Sequence, residues 1–198
     1  MDLEIKRQIV HSMGIFTILL ILIFGRLYSS LMMLSISIIL ILIAEYRKSK
    51  LVSKVLKIEA VKEVEDMIDK GLRSYERLDE MPLNGAVLFY LGCFLVTVVF
   101  EPWLAIASIA VLALADSLST LVGYYFGEHK IFINNKKSWE GSSAFFITAF
   151  FVLLFFVNPL KAFFVALLVT LVEMLPKIND NISVPFATAV FLSLVINI

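Results

Sequence analysis

Long apolar runs separated by short polar breaks dominate this chain. Seven of them, at about 8–25, 27–44, 83–100, 102–126, 141–157, 160–176 and 180–197, are each near the roughly 17–25 residues that a membrane-spanning helix needs. Two boundaries fall inside runs too long to cross a bilayer once, and both rest on helix-breaking residues, at Gly25-Arg26 and at Asn158-Pro159. The exception is a polar block at 45–82, where Leu51, Val55, Ile58, Val61, Val64, Ile68, Leu72 and Tyr75 recur at steps of three and four. That period predicts an amphipathic helix lying at the membrane interface or against the bundle. Lys62, Asp66 and Lys70 add opposite charges four residues apart. The expected fold is all-α: a polytopic membrane helix bundle of about seven transmembrane helices plus one cytoplasmic amphipathic helix, forming a single integral membrane domain over 1–198.

Composition supports that reading. Residues of the AVILMFWYC set make up 60% of the chain, against about 45–50% in a typical globular protein even with glycine counted. Mean hydropathy is +0.93, more apolar surface than a soluble domain of this length could bury. The one cysteine, Cys93, lies in an apolar run, so neither a disulfide framework nor a CxxC metal site is available. Lys6 and Arg7 before an apolar stretch imitate a secretory signal, but no Ala-x-Ala-like cleavage site follows, and a retained first helix is expected.

Formal net charge is zero, from 17 basic and 17 acidic residues. That balance excludes nucleic acid as a bulk electrostatic partner, and the distribution is more informative than the total. Nine basic and nine acidic residues cancel within 45–82. With the N-terminus in the cytoplasm, 15 Lys and Arg residues fall inside and only Arg26 and Lys161 outside, the asymmetry that orients membrane proteins. The C-terminus is then outside. Short termini and compact size point to a multi-pass protein of a prokaryotic cell membrane.

Ionisable residues inside spans are expensive, about 2.5–3.5 kcal/mol for a mid-span Asp on insertion scales, and default to functional candidates. Four places stand out. Arg7 and His11, four apart, share a helix face with Glu4. Asp116, Thr120, Gly123 and Gly127 form one stripe at 0, 4, 7 and 11; the glycines admit a ligand or, equally, another helix backbone. The stretch Glu128 to Ser143 is a basic loop entering a helix, with Lys130, Lys136 and Lys137 for phosphate and Ser138 as an N-cap before Glu140, Gly141 and Ser142. Positive-inside bias is the alternative explanation for those lysines. Finally, Glu173 ends one helix, and Asp180 and Asn181 begin the next. All four places fall on the predicted cytoplasmic side, although these carboxylates and His11 played no part in setting the topology. Carboxylates there can hold Mg²⁺ and basic groups a polyphosphate, a combination suited to phosphoryl or nucleotidyl transfer onto a membrane-embedded substrate.

At these residues the sequence resembles the CTP-dependent lipid-alcohol kinases, the family of dolichol kinase, phytol kinase and CTP-dependent diacylglycerol kinase. The matching positions, in chain order, are Arg7 and His11; Asp116 with Gly123 and Gly127; Lys137-Ser138-x-Glu140-Gly141-Ser142; Glu173; and Asp180-Asn181-x-x-x-Pro185. Gln8 stands where the family usually has a second basic residue, and Asn179 where plant-type members often have an Asp. The resemblance implies transfer of the γ-phosphate of CTP to the hydroxyl of a membrane lipid alcohol, giving a lipid monophosphate and CDP. On that resemblance the expected roles are as follows: Asp116, Glu173 and Asp180 hold Mg²⁺, or one of these carboxylates, Asp116 or Asp180 among the catalytic candidates, accepts the alcohol proton; Gly123, Gly127, Lys130, Lys136, Lys137 and Ser138–Ser142 with Asn181 cradle the triphosphate; Arg7 supports phosphate charge, and His11 positions or deprotonates the hydroxyl. Two rivals remain at this stage: a cytidylyltransferase releasing pyrophosphate from CTP onto a lipid phosphate, and a small transporter with Asp116 as its coupling site.

Overall fold

The computed structural model describes residues 3–49, 66–67, 83–176 and 179–196. Apart from Asp66 and Met67, which are helical and exposed, the amphipathic helix expected within 45–82 lies outside the described residues beyond Ser49.

Helix α1 (Leu3–Ser12) ends in a 3₁₀ turn, Met13–Ile15, that leads into α2 (Phe16–Ser49). The first predicted span thus begins earlier than 8 and is itself interrupted. Gly14 sits in that turn with the Phe89 ring directly against it, a contact no larger residue would allow. Inside α2, Gly25 has φ 72° and ψ 178°, so the helix breaks at the Gly25-Arg26 step where two segments were expected. Ser29 Oγ donates to the freed Gly25 carbonyl at 2.6 Å. Arg26 turns its guanidinium onto the carbonyls of Thr97 (2.9 Å) and Val98, at the end of α3 (Asn84–Val99). It therefore caps the orphan acceptors of a helix C-terminus.

Pro102 opens α4 (Pro102–Val111), where its missing N–H removes nothing. A π-helical turn, Leu112–Asp116, joins α4 to α5 (Ser117–Phe126). This continuous rod is the centre of the bundle: Ala105, Ala107, Ile109, Val111, Leu112, Ala113 and Ala115 are all buried. Around it pack α2, α3, α6 (Trp139–Leu153) and α8 (Asp180–Ile196), and α7 (Pro159–Glu173) packs against α6 and α8. The break before α7 is where Asn158-Pro159 predicted it, with Asn158 Oδ1 accepting from Lys161 N at 3.0 Å as the N-cap.

Two helical stretches, Phe16–Tyr46 and Pro102–Phe126, are long and apolar enough to cross a membrane, and Asn84–Val99, Trp139–Leu153 and Asp180–Ile196 are shorter apolar helices. Large apolar side chains also stay on the outside, among them Leu22, Ile23, Leu27, Leu42, Phe155 and Leu160. An all-α fold misses one element. Lys130–Ile131 (β1) and Asn134–Ser138 (β2) form an antiparallel hairpin with an irregular register, where a plain loop was expected. Asn134 makes it possible: its Oδ1 accepts from Lys136 N (3.3 Å) and its Nδ2 donates to the Met174 carbonyl (3.2 Å), anchoring the hairpin to the end of α7.

Candidate active site

The π turn is where the site begins. An inserted residue in a helix breaks the regular i→i−4 ladder, and such turns gather at functional positions. His11 of α1 lies beside this turn. Its Nε2 stands 3.4 Å from Asp116 Oδ2, and its ring meets Phe89 edge-on at 5.1 Å between centroids. Ser117 Oγ donates to Ala113 O at 2.7 Å, and Gln8 O lies 3.4 Å away. α1 is thereby fastened to the turn that carries Asp116.

Beside it lies a second group, assembled from five elements. Glu173, at the end of α7, is 0% exposed. Its Oε1 accepts from Lys137 Nζ of β2 (2.5 Å) and Ser119 Oγ of α5 (3.1 Å), and its Oε2 from Ser142 Oγ of α6 (2.9 Å). Lys137 Nζ also reaches Asp180 Oδ2, at the start of α8, at 2.7 Å. Burial alone would push the Lys137 ammonium down, but the charges of Asp180, Asp116 and Glu173 outweigh it and hold Lys137 above its ordinary value. Since Lys137 and Asp180 both feel Asp116, and His11 feels Asp180, the two groups form one electrostatic unit.

The stripe of small residues on α5 is filled by α6. A Cβ on Gly141 would meet Ser119 O at 2.9 Å, Gly123 Cα at 3.2 Å and Ser138 Oγ at 3.2 Å. One on Gly123 would meet Ser138 Oγ at 3.3 Å, and one on Gly127 the Gly123 carbonyl. Of the two uses open to Gly123 and Gly127, the structure displays close helix packing. Ser138 is the N-cap of α6, its Oγ accepting from Gly141 N at 3.2 Å. The Trp139 N–H is engaged as well, by the His129 carbonyl (3.0 Å), so this helix start is partly satisfied by its own loop. Glu140 turns back onto that loop. His129 Nδ1 lies 2.5 Å from Glu140 Oε1, and His129 N donates to the same oxygen at 3.2 Å. That hydrogen bond, then the charges, hold His129 above its usual value and Glu140 below its own.

The structure thus gathers His11, Asp116, Lys137, Ser142, Glu173 and Asp180. Arg7 stands apart in a local bridge, Nη1 to Glu4 Oε2 at 2.9 Å, and Gln8 Nε2 donates to Glu4 Oε1 at 2.7 Å. Lys130 and Lys136 are exposed on the hairpin flanking Phe132, which is 97% exposed. Asn181 leaves the carboxylate group and turns to α3, where its Nδ2 donates to Gly85 O (3.2 Å). Sequence reasoning missed Ser119, Phe89 and His129. Ser119 was findable, three residues after Asp116 on the same helix, but a serine in an apolar helix more often bonds its own preceding turn.

Mg²⁺ wants six oxygen ligands, and commonly takes one or two carboxylates with substrate phosphates and water. Among the described residues, no three His, Cys, Asp or Glu side chains stand close enough together to hold a metal. Glu173 fits poorly as a ligand, because both its oxygens are buried and engaged. Asp116 and Asp180, with side chains 13% and 22% exposed, fit the sparser pattern of two carboxylates completed by phosphate.

Comparison with known proteins gives a consistent picture. The chain is 34% identical to "Phytol kinase 1, chloroplastic" of Arabidopsis thaliana over 143 residues, 62% of this chain and 46% of that protein. It is 32% identical to "Probable phytol kinase, chloroplastic" of Triticum aestivum over 126 residues, 54% of this chain and 42% of that protein. The chain therefore spans less than half the length of these plant relatives. Against "Uncharacterized protein RP860" of Rickettsia prowazekii it is 30% identical over 196 residues, covering 94% of this chain and 91% of that one. No family model matches, and no solved structure matches significantly.

Proposed function

The chain belongs to one family with uncharacterized protein RP860 of Rickettsia prowazekii, and from that premise, with the partial match to phytol kinases, we propose that it is a lipid-alcohol kinase of the membrane. The donor is CTP and the acceptor the primary hydroxyl of an isoprenoid alcohol of the polyprenol, dolichol or phytol kind. The bundle spans the bilayer about seven times with its N-terminus and active site on the cytoplasmic face, as in a prokaryotic cell membrane.

The observation that carries this reading is the Lys137 ammonium held between Glu173 and Asp180, with Asp116 and His11 in the same electrostatic unit. A lysine fixed at the mouth of a carboxylate cluster serves phosphate, and two part-exposed carboxylates serve a divalent cation. When bound, Mg²⁺ would be held by Asp116 and Asp180 and would neutralise charge on the transferring phosphoryl group. Lys137, with the exposed Lys130 and Lys136 behind it, binds the β- and γ-phosphates. His11 Nε2 takes the proton of the acceptor hydroxyl as its oxygen bonds to the γ-phosphorus. The bond from γ-phosphorus to the bridging oxygen breaks, and CDP leaves with that electron pair. Arg7 adds positive charge one helical turn from His11. Apolar walls between the helices admit the alcohol from the lipid.

The test is purified protein in vesicles with Mg²⁺ and γ-labelled CTP or ATP, offered a panel of alcohols. Label in the lipid fraction from CTP, lost by at least about 100-fold in Asp116→Asn, supports the kinase. Labelled pyrophosphate instead means cytidylyl transfer, and a fully active, folded Asp116→Asn removes Asp116 from the mechanism.

A further inference from the structure

The hairpin between α5 and α6 has a turn whose residues its backbone does not explain. Phe132 and Ile133 join β1 to β2. Two-residue hairpin turns usually take Asn, Asp or Gly, residues that tolerate a left-handed backbone. Neither Phe132 nor Ile133 has a positive φ, so the backbone asks for no particular side chain at this turn. Phe132 is the most exposed large apolar residue among those described, and Ile133 is exposed beside it. In water this tip leaves a whole aromatic ring and a branched aliphatic chain uncovered; an apolar medium would cover both.

The place of the tip says which medium that is. Ile131 pairs with Asn134 across the turn, and Asn134 Nδ2 donates to the carbonyl of Met174, the residue after α7, at 3.2 Å. Phe132 and Ile133 therefore lie within two residues of that tie, about 7 Å of chain at most. An exposed apolar stripe of α7 reaches the same point: Phe164, Leu168, Leu171 and, just past the helix end, Leu175, at 0, 4, 7 and 11. The opposite face of α7, with Ala162, Val165, Ala166 and Val169, is the buried one. On an outer helix of a membrane bundle such a stripe faces lipid, and the tip extends it. Tyr124 and Phe126 at the end of α5 and Trp139 at the start of α6 are exposed around the base of the hairpin, as aromatic residues are at the bilayer surface. From Lys130 to Ser138 the chain carries three lysines and no acidic residue, the sign of charge that lipid phosphates attract.

We propose that Phe132 and Ile133 insert into the cytoplasmic interface of the bilayer beside the end of α7, so that the hairpin is a strut seated on the membrane and not a free cytoplasmic loop. What covers the tip is the glycerol and upper acyl region of phospholipid. Lys137 follows Phe132 by five residues, and the seat therefore sets the depth at which its ammonium meets Glu173 and Asp180. The proposal rests on the reading of this chain as a membrane bundle and is independent of the phosphoryl transfer.

Depth-dependent quenching tests it. Cys93, the chain's single cysteine, is fully buried, so an introduced cysteine is the one a thiol-reactive dye reaches. Phe132→Cys, Ile133→Cys and, on the α7 stripe, Phe164→Cys are labelled with an environment-sensitive fluorophore and reconstituted in phosphatidylcholine vesicles. Some vesicles carry lipid with a nitroxide near the glycerol, others with one deep in the acyl chain. Both tip labels should be quenched more by the shallow nitroxide, and the Phe164→Cys label, three helical turns further in, more by the deep one. Burying a Phe side chain is worth roughly tenfold or more in an equilibrium, so adding Phe132→Asp to Ile133→Cys should lower the shallow quenching by up to about tenfold. Shallow quenching at either tip position supports the seat. Its absence overturns the proposal, whether aqueous iodide reaches the label, as for a tip in water, or does not, as for a tip covered by protein; so does quenching that Phe132→Asp leaves unchanged. Should the Phe164→Cys label also escape both nitroxides, the membrane reading itself fails.

Discussion

Glu173 carries the clearest energetic prediction, because its carboxylate is fully buried and both oxygens are in use. In Glu173→Gln, the amide oxygen can still accept from Ser119 and Lys137, and the Ser142 hydroxyl can rotate to accept from the NH₂. Only the charge is lost. Lys137 keeps Asp180 at 2.7 Å, so the change amounts to one charge-assisted bond, about 1.5–3 kcal/mol. Glu173→Ala is worse: it strands the Lys137 ammonium and the hydroxyls of Ser119 and Ser142 at once. Breaking one side of a buried ion pair costs about 3–5 kcal/mol, and two deserted hydroxyls put this variant at the upper end. Lys137→Met should be comparably damaging alone, since it leaves the buried carboxylate without its cation. The double variant, which removes both charges, should therefore be more stable than the sum by about 2 kcal/mol. Reversible unfolding in mixed micelles, followed by Trp103 and Trp139 fluorescence, measures all four. Were Glu173 instead a metal ligand first, Glu173→Gln would weaken Mg²⁺ binding and leave the metal-free protein as stable as before. Strict additivity of the pair, or a Glu173→Ala cost below about 1 kcal/mol, would refute the reasoning.

Four other outcomes follow from the structure. NMR titration of the two histidines should find His129 above its ordinary 6.5, returning to it in Glu140→Gln. The pairing holds from the lowered Glu140 value, below 4.5, up to the raised His129 value; it is lost as pH falls through the first or rises through the second. Gly92→Ala drives a Cβ into the Asn181 carbonyl, with Ile182 Cα 3.5 Å away, and should cost about 1–3 kcal/mol in the same unfolding assay. Gly85→Ala meets nothing within 4 Å and should be neutral or stabilising by up to about 1 kcal/mol. Gly25→Ala also meets nothing within 4 Å, but its backbone at φ 72° and ψ 178° belongs to glycine, so a loss of about 1–3 kcal/mol is expected from conformation alone. An unchanged Gly25→Ala would mean that the α2 break does not need that conformation.

A costly residue in an apolar chain is visible before folding, and its partner is not. Asp116, Glu173, Asp180, Lys137 and His11 each stood out against their surroundings, and the structure brings them together for the reason they stood out: a buried charge must be answered by another. Which group answers which depends on distances of 36 and 43 residues between Lys137 and its two carboxylates, and no local pattern encodes that pairing. Arg7 shows the converse. Its partner Glu4 was in view three residues away on the same helix face, and that local bridge formed. Gly123 and Gly127 were readable as a surface that something approaches closely, but ligand and helix leave the same trace in sequence; Ser138 and Gly141 occupy that surface only because the hairpin delivers α6 there. The hairpin itself has two residues in its first strand, too few for an alternating pattern to register. The π turn at Leu112–Asp116 has a sequence, Leu-Ala-Leu-Ala-Asp, that an α-helix would accept without strain. Its cause is therefore tertiary: α1 packs beside it, with the Gln8 carbonyl 3.4 Å from Ser117 Oγ and His11 Nε2 3.4 Å from Asp116 Oδ2. The π turn thus carries Asp116, costly in its own span, to the one place where a second costly residue, His11, stands within 3.4 Å of it.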